Sequence, residues 1–155
     1  LHTNDAPSTI TRLTHMGIEP FLITAAVTLV QAQRLVRSIC AHCVVPDTKV
    51  TKENLLEAEF PEEWIDTAKI MRGRGCERCS QTGYKGRKGI FEVLYMTEAI
   101  RSLIIKGANA DQLRAFAIEE GMITLRRSAL GKLYRGETTL EEVLNNSKSD
   151  GDIKV

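Results

Sequence analysis

The sequence predicts a mostly helical α+β fold in which a two-stranded, zinc-ribbon-like lobe interrupts a series of short helices. Three observations predict it. Four cysteines form two knuckles, Cys40-Ala41-His42-Cys43 and Cys76-Glu77-Arg78-Cys79, and no cysteine is left over. Apolar residues alternate with a period of two just before the first knuckle and again after the second. Elsewhere, capping residues and glycines punctuate stretches with helical spacing.

Taken in order, Asn4 and Asp5 are candidate N-caps, and Pro7 suits a first helical turn. Ile10, Leu13 and Met16 share the inner face of this helix, which Gly17 ends. Pro20 opens a second helix, with Leu22, Ala25, Ala26 and Leu29 at helical spacing and Ile23, Val27 and Val30 on its other face. Such all-round apolarity predicts burial within an assembly or between lobes. From Gln33 the period changes: Leu35, Arg37 and Ile39 face one way, as in a strand that delivers Cys40 and Cys43 to its end.

Residues 44–75 form an excursion between the knuckles. Thr51 to Glu59 reads as a short helix, and Pro61 opens another around Trp64, expected to anchor the excursion on the lobe. Glycines 73, 75, 83, 86 and 89 crowd the second knuckle, which predicts turns there and no regular element. Ile90 to Tyr95 reads as the second strand. Thr97 then caps a helix closed by Gly107, and Asn109 with Gln112 caps another closed by Gly121. Leu125 to Leu133 forms a third, ended by Gly136. Thr138 and Glu141 form a capping box for the last, and residues 148–155 read as a flexible tail.

Two Cys-x2-Cys turns supply the all-sulfur tetrahedral set that zinc prefers. Cys40, Cys43, Cys76 and Cys79 are therefore the candidate metal ligands, for a structural zinc with no open coordination position. Reduced structural cysteines and a pair of disulfides are the alternatives, and His42 could replace one thiolate. His15 reads as structural or solvated.

Composition is globular: 43% hydrophobic and 26% charged residues, with a net charge of +1. That balance points neither to a nucleic-acid binder nor to an enzyme of acidic substrates. With aromatics at 5%, the core has to come from aliphatic residues. No apolar run approaches the roughly 18 residues that span a bilayer. The first residues have neither the basic nor the apolar region of a signal peptide, and no initiator Met. The expectation is a chain that begins inside a larger protein or after a cleavage, and intracellular residence, which favours zinc over disulfides.

No G-x4-G-K-[ST] loop is present, since Leu133 follows Gly131-Lys132, and G-x-G-x-x-G fails at Arg78. The cluster Lys69, Arg72, Arg74, Arg78, Lys85, Arg87 and Lys88 admits two readings. One is a nucleic-acid patch; the favoured one is a solvated surface with some arginines donating to thiolates.

Several blocks carry a resemblance. Leu1-His2-Thr3-Asn4-Asp5-Ala6, with Thr11-Arg12-Leu13 and Met16-Gly17-Ile18, resembles the histidine box of the type II secretion and type IV pilus assembly ATPases. The likeness continues through Ala32 to Cys43, Gly75 to Cys79, Thr82 to Glu92, Glu120 to Leu125 and Gly136 to Leu144. Residues 44–72 carry little of it.

The resemblance implies that residues 1–37 complete a RecA-like P-loop ATPase core. Residues 38–95 would be the zinc lobe with its excursion, and 96–147 a C-terminal helical bundle. It implies the assembly branch, because the retraction ATPases lack the knuckles. The parent would be a cytoplasmic homo-hexameric motor, peripheral to the inner membrane and working on its platform protein. ATP and Mg2+ would bind only in that full-length parent, whose Walker motifs and arginine fingers precede residue 1. His2 would lie near the γ-phosphate there, and this chain alone would not hydrolyse ATP. A zinc-ribbon nucleic-acid module and a zinc-stabilised protein-docking module are the alternatives.

Overall fold

The structure, a computed structural model, describes residues 3–151. These divide into two compact units, 3–33 with 91–124 and 34–90 with 125–151. The mixed, mostly helical class is the one expected.

Helix α1 (Ala6–His15) starts where Asp5 accepts the Ser8 N–H at 2.8 Å, and Gly17 at φ +85° follows its last turn. Helix α2 (Pro20–Ala26) is shorter than expected. Val27 turns extended and strand β1 (Leu29–Ile39) begins six residues before Leu35. The β-branched Val27, Thr28 and Val30 lose χ1 freedom in a helix and suit a strand. Within this single chain Ile23 and Thr24 of α2 are buried, whereas Phe21 and Leu22 are exposed.

Strand β2 (Val44–Pro46) leads out of the first knuckle. The excursion then carries α3 (Lys52–Glu57) and a 3-10 turn over Glu62–Thr67, and returns as β3 (Met71–Gly73). Thr51 and Asn54 cap α3 reciprocally. β2 and β3 pair antiparallel, Val44 opposite Gly73 and Pro46 opposite Met71. This small sheet was not expected.

Strand β4 (Tyr84–Tyr95) begins earlier than the glycines suggested, with Gly86 at φ +84° inside it. β4 pairs with β1. The Cys40 N–H donates to the Gly83 carbonyl and the Met96 N–H to the Thr28 carbonyl, so the two strands run antiparallel.

The last four helices are α4 (Glu98–Ile105), α5 (Ala110–Glu119), α6 (Leu125–Tyr134) and α7 (Leu140–Asn146). Thr97 caps α4, and Asn109 with Gln112 caps α5. Thr139, not Thr138, caps α7 by accepting the Glu142 N–H. α4 and α5 fall in the first unit, α6 and α7 in the second.

In the first unit, α1 packs on α5 and α2 on α4 around Ile10, Ile23, Leu94, Ile100, Ile104 and Leu113. Each such aliphatic residue contributes about 1.5–3 kcal/mol by leaving water. The core also holds charge. Glu92, 1% exposed, accepts the Ala6 N–H at 2.8 Å, and Arg114 pairs with Asp5. The Asp5 carboxyl is thereby tied at the start of α1. Burial alone would raise its pKa, but the Ser8 bonds and Arg114 outweigh this and lower it.

In the second unit, Val36, Ile90, Leu130, Leu133 and Val143 are buried. Trp64 meets the Tyr134 ring of α6 at 5.1 Å, and the Arg127 guanidinium lies 4.3 Å from the centre of the Trp64 ring. The excursion is thus held on α6. Ser149 and the backbone N–H groups of Asp150 and Gly151 converge on the Glu59 carboxylate; of the tail expected over 148–155, residues 152–155 lie outside the described residues.

Candidate metal centre

Two features of the second unit bring the knuckles together. β1 ends at Ile39, whose N–H donates to the Glu137 carbonyl, and the Cys43 N–H closes the first turn on the Cys40 carbonyl. The β2–β3 ladder then returns the chain beside its point of departure. There the Arg74 N–H donates to the Cys43 carbonyl at 2.9 Å. The second knuckle is a single 3-10 turn, Glu77–Cys79, followed by Ser80 and Gln81 in the left-handed region at φ +51° and +63°. The Thr82 hydroxyl donates to the Cys79 carbonyl at 2.6 Å and leads the chain into β4.

The result is a convergence of Cys40, Cys43, Cys76 and Cys79, with all four Sγ atoms within 4.8 Å of one another. Cys40 and Cys76 are 3.9 Å apart, Cys43 and Cys79 3.9 Å, and Cys76 and Cys79 3.7 Å. A tetrahedron with Zn–S arms of about 2.3 Å has edges of about 3.8 Å. The donor set therefore fits a tetrahedral metal ion. A disulfide needs sulfurs about 2.05 Å apart, and all four cysteines are free.

Backbone amides serve the sulfurs. The Gly75 N–H points at Cys43 Sγ, and the N–H groups of Cys76 and Gly83 both point at Cys79 Sγ, each at 3.3 Å. Burial pushes the Cys43 thiol up to about 11. At Cys79 burial acts in the same direction. Those two amides and the thiols of Cys76 and Cys43 outweigh it, bringing Cys79 down to about 6. One thiolate thus forms readily, but four adjacent thiolates repel one another unless a cation lies between them.

His42 does not join the cluster. It is exposed, with Arg78 Nη1 3.0 Å from its Nε2, and the metal-capable group consists of the four cysteines. The expected arginine donors to sulfur are replaced by backbone amides. Of the basic cluster, Lys88 pairs with Glu137 at 2.8 Å, and Arg72 lies 3.9 Å from Asp47. His15 is exposed on α1. His2 lies outside the described residues.

Three supports of this centre were not foreseen. The β2–β3 ladder is one. The second is the approach of Gly73 to Gly83, signalled only by the two glycines themselves. The third is Glu142 of α7, 4% exposed, which binds Arg37 of β1 through its side chain (Nε 2.8 Å, Nη2 2.7 Å) and through its backbone N–H. Arg37 also lies over the Tyr84 ring at 4.0 Å, and the Tyr84 hydroxyl meets Thr139 at 2.7 Å.

Comparison with known proteins covers these elements. The family model described as "Type II/IV secretion system protein" matches residues 1–145. The chain belongs to this family. Among type II/IV secretion relatives, the type IV pilus assembly ATPase PilB of Thermus thermophilus is 49% identical over 144 residues, covering 93% of this chain and 16% of its own length. PilB of Myxococcus xanthus is 45% identical over 150 residues, 97% of this chain and 26% of that protein. Type II secretion system protein E of Aeromonas hydrophila is 39% identical over 150 residues, 97% and 29%. The chain therefore spans less than a third of the length of these relatives. Among the described residues, no helix is long and apolar enough to cross a membrane.

Proposed function

We propose that this chain is the C-terminal part of a hexameric motor ATPase that powers type IV pilus extension or type II protein secretion. The single observation that carries the reading is the match to the secretion family over residues 1–145, which takes in both cysteine knuckles. Relatives at 39–49% identity bear the names of pilus assembly and type II secretion proteins.

In this reading the four cysteines hold one structural zinc. Tetrahedral sulfur spacing, amide donors to the thiolates and the absence of a fourth-site water position in an all-thiolate set support that choice. The zinc supplies no chemistry; it clasps the ends of β1 and β4 to the excursion. Arg37 and Glu142 hold α7 against that clasp. Residues 1–37 complete the RecA-like core, and His2 couples the γ-phosphate to the subunit contact. The motor is cytoplasmic, sits at the inner membrane and drives its platform protein. The 155 residues contain no phosphate-binding loop, so this chain alone does not turn over ATP.

The test is carried out in the host. Substituting Cys40 and Cys79 by Ser at the chromosomal locus abolishes surface pili or leaves secreted proteins inside the cell. Unchanged piliation together with unchanged secretion contradicts the reading. Hydrolysis of Mg-ATP by the isolated chain, above a heat-treated control and surviving His2→Ala, contradicts its inactivity.

A further inference from the structure

The four sulfurs are not equivalent. Cys40, Cys43 and Cys79 are buried, and Cys76 alone of the set is partly exposed. Cys79 accepts two backbone N–H groups, whereas Cys76 accepts one, from Cys79. Each N–H bond withdraws charge from a thiolate, and burial closes the line along which an electrophile must approach. Exposure singles out Cys76 from the other three, and its amide support is weaker than that of Cys79, its neighbour in the same knuckle.

We propose that Cys76 is the point at which the metal centre opens: a peroxide or a soft alkylating agent reacts there first, and the zinc leaves. The inference rests on the zinc reading given under Proposed function. With hydrogen peroxide, a Cys76 sulfur lone pair attacks one oxygen, the O–O bond breaks and hydroxide departs, leaving a sulfenic acid. The Cys79 thiolate, 3.7 Å away and nearer than Cys40 at 3.9 Å, then attacks that sulfur and expels the second hydroxide. A Cys76–Cys79 disulfide forms. Two thiolates lose two electrons in all, and one peroxide becomes two hydroxides. The metal keeps two ligands, Cys40 and Cys43, and dissociates. Excess dithiol reduces the disulfide and restores the site. An alkyl iodide does the same in one step: the S–C bond forms, iodide leaves and one ligand is lost.

The experiment uses the chain loaded with one equivalent of zinc. Limiting iodoacetamide or hydrogen peroxide is added, zinc release is followed with a chromogenic indicator, and modified cysteines are mapped by peptide mass spectrometry. Labelling of Cys76 is expected about tenfold faster than at any other cysteine. Zinc release should keep pace with it, and the peroxide product should be a Cys76–Cys79 disulfide that dithiothreitol reverses. First labelling at Cys40, Cys43 or Cys79, or equal labelling of all four in zinc-loaded protein, overturns this proposal and leaves the zinc reading intact. A chain that retains no zinc before treatment overturns both.

Discussion

Gly73 and Gly83 pass one another backbone to backbone. A β-carbon built on Gly73 would lie 2.0 Å from the Gly83 carbonyl oxygen, and one on Gly83 would lie 2.6 Å from that of Gly73. These glycines sit where the returning strand β3 and the start of β4 flank the second knuckle, so the closeness of the two backbones sets the closeness of the four sulfurs.

Gly73→Ala should therefore destabilise the chain by about 1–3 kcal/mol, as overpacking does. Gly131, inside α6, offers the opposite case. Its nearest neighbour would be the flexible tip of Arg135, 3.6 Å away. Gly131→Ala should stabilise by about 0.5–1 kcal/mol through helix propensity. Urea midpoints of the two variants, moving in opposite directions, are the check; a gain in both would mean the close approach is absent.

Glu142→Gln keeps the shape of the side chain but removes the charge that Arg37 binds through two nitrogens and the backbone N–H. Hydrogen bonds to charged groups contribute about 1.5–3 kcal/mol each, and Arg37 is half exposed, which places the expected loss near the lower end. Hydrogen exchange of α7 should accelerate. Arg37→Lys should not rescue it, because an ammonium cannot reproduce the planar fork.

Glu137 is surrounded by Lys88, Lys132 and Arg135 at 2.8, 3.4 and 2.6 Å. Burial opposes its ionisation, but Lys88 and Arg135 outweigh it and hold the carboxyl at about 2, below the ordinary 4.5. A carboxylate whose folded pKa is depressed stabilises the fold above its unfolded pKa. That contribution is lost as pH falls through the folded value. The difference in stability between the parent and Glu137→Gln should thus be full above pH 4.5 and shrink toward pH 2. A difference that grew on acidification would contradict the assignment.

Much of this was legible in the sequence because it depends on neighbours in the chain. Asp5, Thr97 and Asn109 cap the helices they precede, and Gly17, Gly107, Gly121 and Gly136 take positive φ just past helix ends. The cysteine pairing was legible for the same reason, since each knuckle is one turn. Errors arose where local signals were balanced. Val27 to Val30 satisfied helical spacing as well as β-branched preference, and the strand won. Thr138 and Thr139 could each cap α7; the Thr138 hydroxyl is taken by the Arg37 carbonyl at 2.7 Å, which leaves Thr139 for the helix. What could not be read was long-range: Glu142 meeting Arg37, Trp64 meeting Tyr134, and Glu59 gathering residues 149–151. Charges and rings far apart in sequence carry no mark of their partner.

The most direct test of the account is metal stoichiometry by elemental analysis of the purified chain, combined with chelation. The account predicts one zinc per chain, loss of folded structure in residues 34–90 when a strong chelator removes it, and recovery on re-addition, because binding energy and folding energy are shared. Less than about half an equivalent of zinc after growth in zinc-sufficient medium, with the lobe still folded, would contradict it.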